Sequence, residues 1–154
     1  MQWTPKRDEP IYASIETVVG GLGMSLVEST ISRHRGSVQA KIVVYKKEGV
    51  GVADCSRVHR AVEPRLELAY PEQEIFIEVA SPGIDRLIKD ASEFGVFSGR
   101  GVACFRTDIS DWTGGVVVDA DEKRLVLRAS SGLVEIPYGA IAKAKLDYSQ
   151  EVGT

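Results

Sequence analysis

The sequence predicts an α+β chain in two parts, a two-helix, three-strand α/β domain over residues 1–85 and a strand-rich domain over residues 86–154. Three observations lead there. In the first part apolar residues recur with helical and strand spacing in the order helix, strand, strand, helix, strand, which is a compact α/β layer unit. In the second part the apolar segments become short, β-branched and separated by turn residues. Between them Ser81-Pro82-Gly83 stops a strand and turns the chain.

Asp8-Glu9-Pro10 has the capping acid and early proline of a helix start, and Ile11, Ile15, Val18, Val19 and Leu22 follow at helical spacing. Gly20, Gly21 and Gly23 end that helix; with no strand leading into them they are a C-terminal cap rather than a phosphate loop. Ser25 to Ile31 suits a strand, Arg33-His34-Arg35-Gly36 a hairpin turn, and Val38, Ala40, Ile42 and Val44 the buried face of a second strand. After Lys46-Lys47-Glu48-Gly49 comes a second helix with Cys55, Val58, Val62 and Leu66 in its apolar stripe and Arg57 and Arg60 off it. Pro64 is expected to kink or end this helix, although the stripe runs on to Leu66.

Ile75, Ile77 and Val79 alternate with Phe76 and Glu78, so the third strand is expected to end at Ala80. Pro82 fixes its own φ, Gly83 can take the positive φ of a type II turn, and Asp85 and Arg86 could pair with each other or with nearby backbone. Beyond the turn, Asp90-Ala91-Ser92-Glu93 has capping-box spacing, with Phe94 and Phe97 as the apolar face of a short turn closed by Gly99. Strands follow at Val102–Phe105, Gly115–Val118, Leu125–Leu127, Leu133–Pro137 and Ile141–Leu146, with turns at Ser110-Asp111 and from Asp119 to Lys123. Tyr138-Gly139-Ala140 makes a single-turn bridge of the kind found in small barrels.

Glu78-Val79-Ala80-Ser81-Pro82-Gly83-Ile84-Asp85-Arg86 resembles the signature of the bacterial ribosome maturation factor RimP family. The likeness extends through Gly49-Val50-Gly51-Val52-Ala53-Asp54-Cys55, Trp112-Thr113-Gly114-Gly115-Val116, Ile136-Pro137-Tyr138 and Ile141-Ala142-Lys143-Ala144-Lys145-Leu146. Leu87 stands where the family usually has proline, and Gly51 where it commonly has threonine, so a weaker helix cap is expected there. The resemblance implies that the second domain is a small SH3/Sm-like β-barrel. It also implies a non-enzymatic, cofactor-free factor that assists assembly of the small (30S) ribosomal subunit by docking on rRNA and a basic ribosomal protein. The residues leave a second reading open, a stand-alone SH3/Sm-like module that binds RNA or a peptide.

Hydrophobic residues at 44% and charged residues at 27% fit a soluble globular protein. No apolar run approaches a membrane span and the first residues lack the apolar core of a signal peptide, so a cytoplasmic monomer without membrane attachment is expected. Cys55 and Cys104 match no metal or redox spacing. Cys55 and His59 would share a helix face, but one pair is not a metal site, and Ser81 lacks a nucleophile elbow. Neither metal binding nor catalysis is expected.

A formal net charge of −3 argues against coating nucleic acid through bulk charge. The charge is, however, unevenly spread. Residues 31–60 hold seven Lys and Arg against two acids, and residues 61–85 hold one against six. If rRNA is contacted, Lys46, Lys47, Arg57 and Arg60, with Arg33 and Arg35, are the expected phosphate-binding residues. Lys143 and Lys145 are expected to matter less. Ser81, Pro82, Gly83, Asp85 and Arg86 are the expected interdomain turn.

Overall fold

Two helices and two sheets form the α+β fold of the computed structural model, which describes residues 1–5 and 10–151. The chain divides into two compact units, Lys6–Pro82 and Gly83–Thr154, the latter including Met1–Pro5. The sequence puts those first residues with the first unit. They belong to the second because the Ala91 N–H donates to the Gln2 carbonyl at 2.8 Å and the Thr4 N–H to the Asp90 carboxylate at 3.1 Å.

The first unit runs α1 (Pro10–Gly21), β1 (Ser25–His34), β2 (Ser37–Tyr45), α2 (Val52–Ala69) and β3 (Glu74–Ala80). β2 is central, antiparallel to β1 and parallel to β3. Ile15 and Val19 of α1 and Val58, Val62 and Leu66 of α2 pack with Leu26, Ala40, Ile42 and Val44 in one apolar core. Each of the buried Val, Leu and Ile side chains contributes about 1.5–3 kcal/mol of transfer free energy. The expected start signal at Asp8 and Glu9 lies outside the described residues. The C-terminal end of α1 is a Schellman cap: Gly23 has φ +81, its N–H bonds the Gly20 carbonyl, and the Met24 N–H reaches the Val19 carbonyl.

One boundary differs from the sequence expectation, and one that the sequence left open is decided. β1 continues through Arg33 and His34, which pair with Val38 and Ser37, so the hairpin turn is only Arg35-Gly36, with Gly36 at φ +68. α2 passes through Pro64 and ends at Ala69. Pro64 has no N–H to give the preceding turn, but Val62 and Leu66 are both fully buried and hold the helix together across it.

The strand before the turn ends at Ala80 as expected, and Gly83 takes φ +77. A residue with a Cβ is strained there even though nothing lies within 4 Å of the added atom.

In the second unit the 3-10 turn Ala91–Gly95 is followed by β4 (Gly101–Arg106), β5 (Asp111–Ala120), β6 (Arg124–Ala129), β7 (Gly132–Pro137) and β8 (Ile141–Leu146). They form one antiparallel sheet in the order β7-β6-β5-β4-β8. Phe94 and Phe97 are fully buried with Leu125, Leu127, Ile136 and Ile141. β5 is longer at both ends than its apolar run. Asp111 and Trp112 pair with Arg106 and Phe105, and Asp119 and Ala120 pair with Val126 and Leu125 around a bulge. The expected turns therefore shrink. A 3-10 turn at Tyr138–Ala140 bridges β7 and β8 as expected. No helix among the described residues is long and apolar enough to cross a membrane.

Candidate nucleic-acid interface

The basic segment falls entirely within the first unit, along β1, the hairpin tip, the end of β2 and the first turns of α2. Its cations are not equivalent. Asp54, in the first turn of α2, accepts from Lys46 at 3.1 Å and from Arg57 at 2.8 Å, so two of the expected phosphate ligands are already held by a carboxylate. Arg33 lies over the Tyr70 ring at 4.6 Å, a cation–π contact. Among the described residues Lys47, Arg60 and Arg35 have no carboxylate partner, and all three are exposed. Lys47 follows β2, Arg60 lies on α2 and Arg35 occupies the hairpin tip.

Asp54 also caps its helix. Gly51 has no side chain to cap with, so only half a capping box exists, in which the Asp54 carboxylate accepts the Gly51 N–H at 2.9 Å. That N–H, Lys46 and Arg57 together hold the Asp54 carboxyl down from 3.8 to about 2. A carboxyl depressed in the folded state contributes stability that is complete above about pH 4 and is lost as the pH falls through about 2. Asp54→Asn protein should therefore unfold at lower urea concentration than the parent at pH 7, with a gap that narrows between about pH 4 and pH 2. A gap independent of pH would show that the charge on Asp54 is not what these contacts use.

Cys55 and His59 do share a face of α2, beside Val52, Ser56, Arg60 and Val79 in a shallow groove. No group of three or more potential metal ligands occurs among the described residues. Burial pushes the Cys104 thiol up to about 12, away from the reactive thiolate form.

The turn residues are placed differently from the expectation for Asp85 and Arg86. Asp85 is exposed, and Arg86 pairs with Glu93 at 2.8 Å, both side chains being buried. The reason is local. The 3-10 turn after Asp90 brings Glu93 back toward the chain just past Gly83, where its carboxylate also accepts the Lys89 and Asp90 N–H groups. A further cluster escaped the sequence reading, because its members are distant in the chain. Trp112 of β5, Phe105 of β4 and Lys143 and Lys145 of β8 meet on one face of the second sheet.

Residues 14–85 match the family model described as the RimP N-terminal domain. Three curated proteins, each named "Ribosome maturation factor RimP", match over 136 residues, which is 88% of this chain and 93% of theirs. They come from Borrelia hermsii (strain HS1 / DAH) at 29% identity, Borrelia recurrentis (strain A1) at 29% and Borrelia turicatae (strain 91E135) at 27%. The chain is similar to RimP proteins over most of its length. All six basic candidates, from Arg33 to Arg60, lie inside the RimP N-terminal match, as do Ser81 to Asp85, whereas Arg86 and the Trp112 cluster lie beyond it.

Proposed function

We propose that this protein is a ribosome maturation factor that docks on the immature small (30S) subunit, contacts rRNA and a basic ribosomal protein, and leaves when assembly is done. The observation that carries this reading is the name shared by relatives aligned over 88% of the chain. The distribution of charge supports it. A protein of net charge −3 can hold rRNA only through a local basic surface, and Lys47, Arg60 and Arg35 are cations with no carboxylate to neutralise them among the described residues. Lys46 and Arg57 add to the local field around Asp54. Glu67 on α2 and Glu74 and Glu78 on β3 are exposed acids of the kind that a basic ribosomal protein would meet.

We read the second unit as a small SH3/Sm-like barrel, which is supported by five antiparallel strands and the single 3-10 turn before the last. The two compact units are then its two domains, with Ser81, Pro82, Gly83, Asp85 and Arg86 at the link. The action is docking rather than catalysis, by a monomer in the cytoplasm.

The test is binding to isolated immature small subunits over a range of salt. Removing one phosphate-binding cation should lower the slope of log K against log salt by about one. Lys47→Gln with Arg60→Gln should therefore flatten the slope by about two and weaken binding, with the fold intact. Lys123→Gln, in the β5–β6 turn, should change neither. Unchanged affinity and slope in the double variant would remove the basic segment as the rRNA face.

A further inference from the structure

Trp112 is 43% exposed on the outer face of the second sheet, at the start of β5. Phe105 lies opposite it in register and meets the indole edge-on, with ring centres 5.6 Å apart. From β8, the ammonium groups of Lys143 and Lys145 each lie 5.5 Å from the indole centre. Lys143 is also 5.9 Å from the Phe105 ring.

Several other cations of the chain are answered by acids. Lys46 and Arg57 share Asp54, Arg106 is clamped by Asp108, and Arg124 meets Glu135. Among the described residues, no carboxylate comes within ion-pair distance of Lys143 or Lys145. Asp147, the acid nearest in sequence, is occupied by Ser149 and Gln150 and feels Lys145 only through space. A half-exposed indole with two flexible lysine cations over its ring and no acid beside them is complementary to a chain that carries planar rings and phosphates together, since the lysines can move off the ring to the phosphates as a base takes their place.

We propose that this face binds single-stranded RNA, with one base stacking on Trp112 and the adjoining phosphates meeting Lys143 and Lys145. A basic protein would be repelled here. A duplex would keep its bases stacked inside, away from the indole. An acidic peptide would satisfy the lysines but leave the ring without a stacking partner. Base stacking on an aromatic side chain and electrostatic tracking of the backbone are the two components of single-strand binding, and both are present on one face. On this proposal Lys143 and Lys145 matter more than the sequence expectation gives them. That the strand is rRNA rests on the maturation-factor reading; the stacking geometry does not.

The chain has two tryptophans, so full-length Trp3→Phe protein leaves Trp112 as the sole reporter. Titration with a short oligoadenylate should quench its fluorescence, and a blunt RNA duplex of equal length should quench it less. In direct binding assays Trp112→Ala should weaken oligoadenylate binding about tenfold or more, while Trp112→Phe retains most of it. Lys143→Gln with Lys145→Gln should lower the salt slope by about 1.4, at about 0.7 per single-strand phosphate. Absence of quenching, or equal affinity in Trp112→Ala, overturns the proposal. Equal quenching by poly-glutamate also overturns it and assigns the face to an acidic protein. If oligoadenylate fails to bind but the full-length protein still co-sediments with immature small subunits, this inference falls and the maturation-factor reading stands. If oligoadenylate binds as described but the protein never co-sediments with small subunits, the single-strand site stands and the maturation-factor reading falls.

Discussion

Glu93→Ala is expected to destabilise the second unit by about 3–5 kcal/mol, the cost of removing one partner of a buried ion pair. Glu93 is 2% exposed. Its carboxylate takes the Arg86 Nε at 2.8 Å and the Lys89 and Asp90 N–H groups at 3.1 and 3.2 Å. Truncation removes the carboxylate that a guanidinium and two backbone donors share at the start of the unit. Glu93→Gln keeps an acceptor oxygen and the shape of the side chain but loses the charge, so it should fall between the parent and Glu93→Ala. Both tryptophans, Trp3 and Trp112, belong to this unit, so urea unfolding followed by tryptophan fluorescence reports its stability directly. A loss below about 1 kcal/mol would show that water or neighbouring groups satisfy these donors as well as the carboxylate does.

The second large effect is expected at Gly115 of β5. A Cβ there would lie 2.7 Å from the Arg128 carbonyl oxygen and 3.1 Å from the Leu127 Cβ. The first obstacle is backbone of a paired strand, which cannot swing aside as a side-chain tip could. Gly115→Val should therefore either separate β5 from β6 or strain both, at about 3 kcal/mol, the upper part of the usual overpacking range. Gly139→Ala provides the control, since nothing lies within 4 Å of its added Cβ and its φ is not in the left-handed region. The same fluorescence-monitored unfolding should show a large shift for the first variant and almost none for the second. Equal midpoints would mean that the sheet relaxes around the side chain.

Features set by neighbours in the chain were legible in the sequence. The alternation of Ile75, Ile77 and Val79, the positive φ of Gly83 and the capping of the 3-10 turn by Asp90 and Glu93 all depend on residues within a few positions of each other. What escaped was set by partners supplied from elsewhere. Arg57 sits three residues after Asp54, and that half of the cluster could have been read as a helix-face pair; Lys46 arrives only because the loop after β2 folds back to α2. Arg86 has an acid beside it in Asp85 yet pairs with Glu93, because the 3-10 turn aims one carboxylate inward and leaves the other exposed. β5 outruns its apolar core because the cross-strand partners of Asp111 and Asp119 extend the ladder, which no window on β5 alone reveals. The Trp112 face needs three strands to assemble it, so no local motif announces it.

The most direct measurement is sedimentation of the tagged full-length protein through a sucrose gradient of cell extract, with the subunit fractions probed for the tag. On the proposed reading it should co-sediment with immature small subunits and be absent from mature small subunits and intact ribosomes. Equal occupancy of mature particles, or no association with the small subunit at any stage, would contradict that account.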